Sequence, residues 1–154
     1  MEIKICVGNS PFNICQEYQW LNACDRDGAV VTFTGKVRSH NDDKRVLRLT
    51  LEHYPEMTEK ILKKIIIDAS YRWILHRIIV IHRIGELSSG DNIVLVGVSC
   101  LDRSSAFSAA EFIMDHIKTH APFWKKEATI QGNEWISMRI KDIKLVNRWN
   151  NLSR

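Results

Sequence analysis

The chain has 154 residues, 45% hydrophobic and 26% charged, the proportions of an ordinary globular domain long enough to bury a sizeable core. No apolar run approaches the roughly 20 residues that span a bilayer. The formal net charge of +4 suits an anionic ligand or an acidic partner but is too diffuse to argue for nucleic acid. Cys6, Cys15, Cys24 and Cys100 form neither a CxxC pair nor a zinc-like grouping, so reduced, partly buried thiols are expected rather than a disulfide framework. The segment from Met1 to Cys6 reads as a strand and lacks the basic, apolar and small-residue order of a secretory signal, which favours a cytoplasmic location.

The predicted elements follow in chain order. A short strand over residues 3–7 precedes a weak helix over 16–24, and a β-branched strand over 29–37 runs into the basic stretch Gly35-Lys36-Val37-Arg38. Residues 39–45 contain nothing apolar to bury and are expected to form a mobile loop. Residues 46–52 alternate, with Leu47, Leu49 and Leu51 on one face, as a half-solvated strand does. A helix over 56–73 carries Met57, Ile61, Ile65, Ala69 and Trp73 at steps of four, a core-facing stripe.

Two further strands, 78–84 and 93–100, follow; the second is almost wholly apolar and reads as buried on both faces. The next helix, 105–119, places Phe107, Ala110, Met114 and Ile117 on one side, with Ser104 or Ser105 as its N-cap. Strands over 125–129 and 135–140 complete the pattern. The order predicts an α+β domain over residues 1–149, one mixed or antiparallel sheet with helices packed on it, and a polar tail over 150–154. A ferredoxin-like arrangement shares part of this order, but the additional strands at both ends fit it poorly.

Chemistry concentrates where the second long helix stops. Pro122 must end that helix within about a turn, leaving Lys118 on its last turn and Lys125 at the start of an extended segment beyond an aromatic corner. Two lysines held beside apolar walls acquire tuned charge and pKa, although cations at a helix C-terminus also serve the dipole alone. The turn Leu101-Asp102-Arg103-Ser104-Ser105 at a helix N-terminus reads either as an anion site or as a plain cap with a solvent-facing arginine. Together Arg38, Arg103, Lys118 and Lys125 could form a cationic pocket with Phe33 and Trp124 as apolar walls. Such a pocket suits a phosphorylated, planar substrate and acid–base or amine chemistry.

His116 and His120 stand four residues apart, a metal-holding spacing, but no third ligand is evident. The nucleotide-binding and hydrolase motifs with glycine or HExxH signatures are absent. No cofactor and no metal is expected.

The same segments carry a resemblance. The run Asp27-Gly28-Ala29-Val30-Val31-Thr32-Phe33-Thr34-Gly35-Lys36-Val37-Arg38 is similar to an early motif of the catalytic (large) subunit family of molybdopterin synthase. So are Leu49-Thr50-Leu51-Glu52-His53-Tyr54-Pro55, Met57 to Lys60, His82 to Glu86, Arg103 to Phe107, and Lys118 through Lys125-Lys126-Glu127. The matches are collinear from about Ile3 to Trp135.

The resemblance implies an α/β-hammerhead fold and a homodimer that binds a small ubiquitin-like sulfur carrier at each end. The carrier would insert its thiocarboxylated C-terminal tail and give its sulfur to cyclic pyranopterin monophosphate. The two sulfurs of the molybdopterin dithiolene would be added in this way, with no nucleic acid or membrane involved. It further implies that Lys118 and Lys125 are catalytic, that Arg38 and Arg103 hold phosphate, and that Arg139 lies near a neighbouring subunit's pocket. Asp102, Phe33 and Met114 belong to the same implied site.

At one position the chain departs from the family pattern, carrying Asp102 where histidine usually precedes the arginine. A carboxylate there would weaken phosphate binding by like-charge repulsion, or else cap the helix and orient Arg103 by an ion pair. The alternative reading is therefore a carrier-binding module whose catalysis Asp102 impairs.

Overall fold

The computed structural model describes residues 1–151. Along the chain run β1 (Glu2–Gly8), α1 (Ile14–Leu21), β2 (Ala29–Lys36), β3 (His40–Asn41), β4 (Lys44–His53) and α2 (Pro55–Ser70). They are followed by β5 (Leu75–Arg83), β6 (Gly85–Ser88), β7 (Asn92–Cys100) and α3 (Arg103–His120). The chain then forms β8 (Phe123–Thr129), β9 (Gly132–Ile136), α4 (Ile140–Asn147) and a 3-10 turn (Arg148–Asn150). The α+β class expected from the sequence holds, but the strands divide between two sheets where one was expected. The first has the order β1-β5-β7-β2, and the second is an antiparallel set β3-β4-β8-β9 with β6 on the other side of β4.

Period-2 alternation, with both faces covered, explains why β7 reads as a continuous apolar run, and β5 beside it is covered in the same way. Ile78, Val80, Val94, Val96 and Val98 face the main core, while Ile79, Ile81 and Leu95 face a smaller cluster closed by Leu21 of α1. Sheet one is thus covered on both faces. β4 joins the main core through Val46, Leu49 and Leu51, so the second sheet shares one hydrophobic interior with α2 and α3.

The expected alternation of β4 fails at Leu47, which is 44% exposed while Val46 is buried. A register shift between Val46 and Arg48 accounts for this: a bulge turns Leu47 out of the leucine face. The loop expected over 39–45 is a tight hairpin. Asp42 and Asp43 both have positive φ, 48° and 66°, the backbone pattern that joins two twisted strands through a two-residue turn.

Helix faces also differ from the stripes predicted. α2 buries Thr58, Leu62, Ile65, Ile66 and Ala69, leaving Met57 exposed. Its sequence holds two adjacent apolar rows, and turning the helix to favour Met57 and Ile61 would release Leu62 and Ile66 to water. Exposing those two side chains would cost about 3–6 kcal/mol, before any gain from burying Met57. α3 buries Ala106, Ala109, Ala110, Phe112, Ile113 and Ile117, and Phe107 points outward at 61% exposure. The alanines let α3 lie close against the sheet.

The strand predicted over 135–140 ends at Ile136, and α4 begins at Ile140. The end of the domain is tied down at Trp149. Trp149 is buried, its indole N–H donates to Asp115 Oδ2 at 2.8 Å, and its ring stands edge-on to Trp73 and Phe112. Of the tail predicted over 150–154, residues 152–154 lie outside the described residues.

Candidate active site

α3 stops as its sequence requires. Ala121, preceding Pro122, is extended at φ −71° and ψ 131°, because proline excludes the helical conformation from the residue before it. The chain turns there into β8, where alternation sends Phe123, Lys125 and Glu127 to one side and Trp124 and Lys126 to the other. The first three line a cavity of about 720 Å³, together with the end of β2, the last turns of α3 and the segment from Ile136 to Leu145. Lys118, Lys125, Arg38, Arg139, Phe33 and Met114 all line it. Six of the eight site residues inferred from the sequence therefore meet in one pocket of a single chain, Arg139 among them.

Trp124 does not wall this pocket. It lies on the outward side of β8, 45% exposed, packed edge-on against Tyr54 with ring centroids 4.8 Å apart. Asp102 and Arg103 are also elsewhere, at the opposite end of α3. Fifteen residues separate Arg103 from Lys118, about 22 Å of helix at the usual rise.

The open question at the helix N-terminus resolves toward a cap, supplied by Asp102 and not by Ser104 or Ser105. The Asp102 carboxylate accepts from the Ser105 backbone N–H at 2.9 Å. Hydrogen bonding to Ser105, through side chain and backbone, holds its pKa below the usual carboxylate value. Among the described residues it makes no ion pair with Arg103.

Lysines and arginines outnumber carboxylates along the lining: Lys36, Arg38, Lys118, Lys125, Arg139 and Lys141 against Glu127 and Asp142. Burial lowers the pKa of Lys125 first of all, and the positive charges of Lys118, Arg139 and Arg38 push it the same way against the opposing effect of Asp142. Lys118 remains closer to water and faces Asp142 Oδ1 at 3.8 Å. One lysine is thereby made a movable proton source and the other a more exposed cation beside it.

Three residues of the site escaped sequence reasoning. Asn41 is a polar hub: its side-chain oxygen accepts from Arg38 at 3.3 Å and from Arg139, and its amide nitrogen donates to Glu127 at 3.1 Å. Asp142 belongs to α4, a helix the sequence reading missed; the apolar spacing of Ile140, Ile143 and Val146 was the available signal. His82, given no role in the site from sequence, lines the pocket while 4% exposed and stacks on Phe123 with centroids 3.9 Å apart. Its Nδ1–H donates to the Arg83 carbonyl at 2.9 Å. Burial drives its pKa to about 4 despite that hydrogen bond, with Lys125 and His53 contributing in the same direction. At neutral pH the ring is uncharged.

The pocket can hold a planar anion between apolar walls, grip it with two arginines held by Asn41, and exchange protons through a lysine of lowered pKa. These features sit on segments that also match known proteins. The model of the family described as MoaE protein matches residues 7–120. The molybdopterin synthase catalytic subunit of Escherichia coli strain K12 is 58% identical over 148 residues, covering 96% of this chain and 99% of the relative. The solved molybdopterin biosynthesis MoaE protein of Burkholderia ambifaria MC40-6 superposes with a TM-score of 0.82 at 39% identity, covering 97% of this chain and 99% of that one. The crystal structure of molybdopterin synthase from Staphylococcus aureus gives 0.79 at 33% identity, over 85% and 95% of the two chains. Agreement in family profile, near-full-length identity and fold leaves one assignment, and the chain belongs to the MoaE protein family.

Proposed function

We infer that this chain is the catalytic subunit of a molybdopterin synthase, a sulfurtransferase. The observation that carries the reading is the pairing of Lys118 and Lys125 in one cationic, partly apolar pocket, with the Lys125 pKa lowered by burial and by Lys118. Its 58% identical relative, a molybdopterin synthase catalytic subunit, supports the same conclusion. In this reading the sulfur arrives as the thiocarboxylate of a small ubiquitin-like carrier, whose extended tail enters the pocket, and the acceptor is cyclic pyranopterin monophosphate. The pocket needs no cysteine of its own for this reaction, because the partner brings the sulfur.

Lys118 would polarise or protonate the carrier's terminal carbonyl, and Lys125 would move protons on the pterin. Arg38 and Arg139 would take the phosphate, with Phe33 and Met114 against the ring system. Asp102 and Arg103 lie too far along α3 to touch a substrate in this chain's own pocket. They can contribute only to the pocket of a second copy, which fits a homodimer carrying a carrier at each end. Among the described residues no helix is long and apolar enough to cross a membrane, and we place the reaction in the cytoplasm.

The alternative of a carrier-binding module with impaired chemistry has no observation in its favour. Asp102 does not line this chain's own pocket, and its carboxylate is engaged as a helix cap. A single-turnover assay with thiocarboxylated carrier and cyclic pyranopterin monophosphate tests the assignment. Dithiolene product from the native chain and none from Lys118→Ala is the expected result; carrier binding without product from the native chain would overturn it.

A further inference from the structure

Far from the pocket, three side chains of different chemistry converge where the α1–β2 turn meets the start of β5. Cys24 Sγ, an Asp27 carboxylate oxygen and a ring nitrogen of His76 all lie within 4.8 Å of one another. None of the three lines the cavity that holds Lys118 and Lys125. In sequence they are scattered and match no ligand motif, which is why the cysteines showed no metal-like grouping there.

The surrounding backbone is built to hold them. The Asp27 N–H donates to the Cys24 carbonyl at 3.3 Å, closing a turn that presents both side chains together. Gly28 then ties the turn to the end of β7, its N–H donating to the Cys100 carbonyl at 3.0 Å. A Cβ at Gly28 would stand 2.2 Å from the Leu101 carbonyl oxygen, so this approach is open only to glycine. His76 is the extra residue of a bulge: the pairing of β5 with β7 passes from Leu75 to Arg77 across a register shift. Bulges re-aim side chains, and this one coincides with the residue that meets Asp27.

The carboxylate itself points to a missing partner. The Asp27 side chain is only 3% exposed, and one of its oxygens, Oδ1, is hydrogen-bonded to His76 Nδ1. The other, Oδ2, is buried with no hydrogen-bond partner among the described residues. A carboxylate oxygen withdrawn from water without a donor or cation is costly. Cys24 and His76 are partly exposed, which leaves an approach for an ion.

We propose that Cys24, Asp27 and His76 form a binding site for a divalent transition-metal ion of the zinc class. A thiolate, an imidazole and a carboxylate together form the mixed sulfur, nitrogen and oxygen set that borderline ions accept and that magnesium and calcium do not favour. Coordination releases to solvent the proton that the Cys24 sulfur carries, and the ion takes its other two ligands from a ring nitrogen of His76 and a carboxylate oxygen of Asp27. The bound ion fastens the α1–β2 turn to β5 directly beside the Cys100–Asp102 turn.

The test uses the tag-free full chain and Co²⁺ as a spectroscopic probe. One equivalent of Co²⁺ is expected to produce a thiolate-to-cobalt charge-transfer band that Zn²⁺ then abolishes by displacement. Cys24→Ser should remove the band, the Cys6→Ser/Cys15→Ser double variant should keep it, and His76→Gln should weaken affinity by at least the roughly 10–100-fold seen when only a supporting partner of a metal ligand is lost. Independently of any variant, stoichiometric Zn²⁺ should protect Cys24 from alkylation, read by peptide mapping, and should raise the Tm. Absence of the band in the native chain, its survival in Cys24→Ser, or alkylation of Cys24 unchanged by Zn²⁺ would each overturn the proposal and leave Asp27 and His76 as a simple hydrogen-bonded pair.

Discussion

Lys118 Nζ and Asp142 Oδ1 face each other at 3.8 Å, linking the last turn of α3 to the first turn of α4 across the pocket. Lys125 lies in the field of both, lowered by the first and raised by the second. Asp142→Asn should therefore lower the Lys125 pKa further, and Lys118→Ala should move it back up. NMR titration of the Lys125 side chain, with the two variants compared to the native chain, checks both signs. A titration that neither substitution moves would show that the two lysines are electrically independent.

The lowered pKa also ties folding to pH. Between the folded value of Lys125 and the ordinary lysine value of 10.5 the unfolded chain binds more protons, so this group makes the protein more stable as pH rises through that interval.

Lys125→Arg separates charge from proton transfer. A guanidinium keeps the positive charge but has no proton to give in the working pH range. If Lys125 acts as acid and base, single-turnover sulfur transfer should fall about 10²–10⁴-fold with carrier binding retained. A loss below about tenfold would reduce Lys125 to an electrostatic role, since proton-transfer contributions rarely fall that low.

His82 supplies an acid-sensitive element. Its folded pKa of about 4 lies below the ordinary 6.5, so the unfolded state takes up a proton first as pH falls. Stability from this residue is intact above 6.5 and is lost progressively down to about 4. The full loss is about 3 kcal/mol at 1.36 kcal/mol per pKa unit. Urea unfolding at neutral pH and near pH 4 should show that much less acid destabilisation in His82→Gln than in the native chain. Equal pH dependence in the two proteins would contradict the assignment.

Asp115 anchors the C-terminal segment. It is 8% exposed and accepts from Trp149 Nε1 and from Arg148 Nη2, each at 2.8 Å. Asp115→Ala strands a buried indole N–H and should cost about 1–3 kcal/mol, measured by urea unfolding. A change near zero would mean that water replaces the carboxylate there.

Much of this protein was legible in one dimension. Pro122 set the end of α3 and put Lys125 beyond an aromatic corner, and the apolar run of β7 announced a strand buried on both faces. The collinear motifs named the family and, with it, most of the pocket. Local rules could reach these features because a proline's ring, a strand's period of two and a helix's period of 3.6 act within a few residues.

What the sequence by itself could not decide depended on packing between distant segments. Two apolar rows on α2 were equally available until Leu62 and Ile66 found the sheet, and Leu47 left its face because the pairing with β8 contains a bulge. Arg103 belonged with Lys118 on chemistry, but a rigid helix of eighteen residues holds them at opposite ends. Asn41 and Asp142 entered the pocket only when β3 and α4 closed around it, and Cys24, Asp27 and His76 met only when a turn docked on a bulged strand. Apart from the Arg103–Lys118 separation, which the predicted helix already implied, the deciding interaction joins residues far apart in the chain, so short-range patterns carry no record of it.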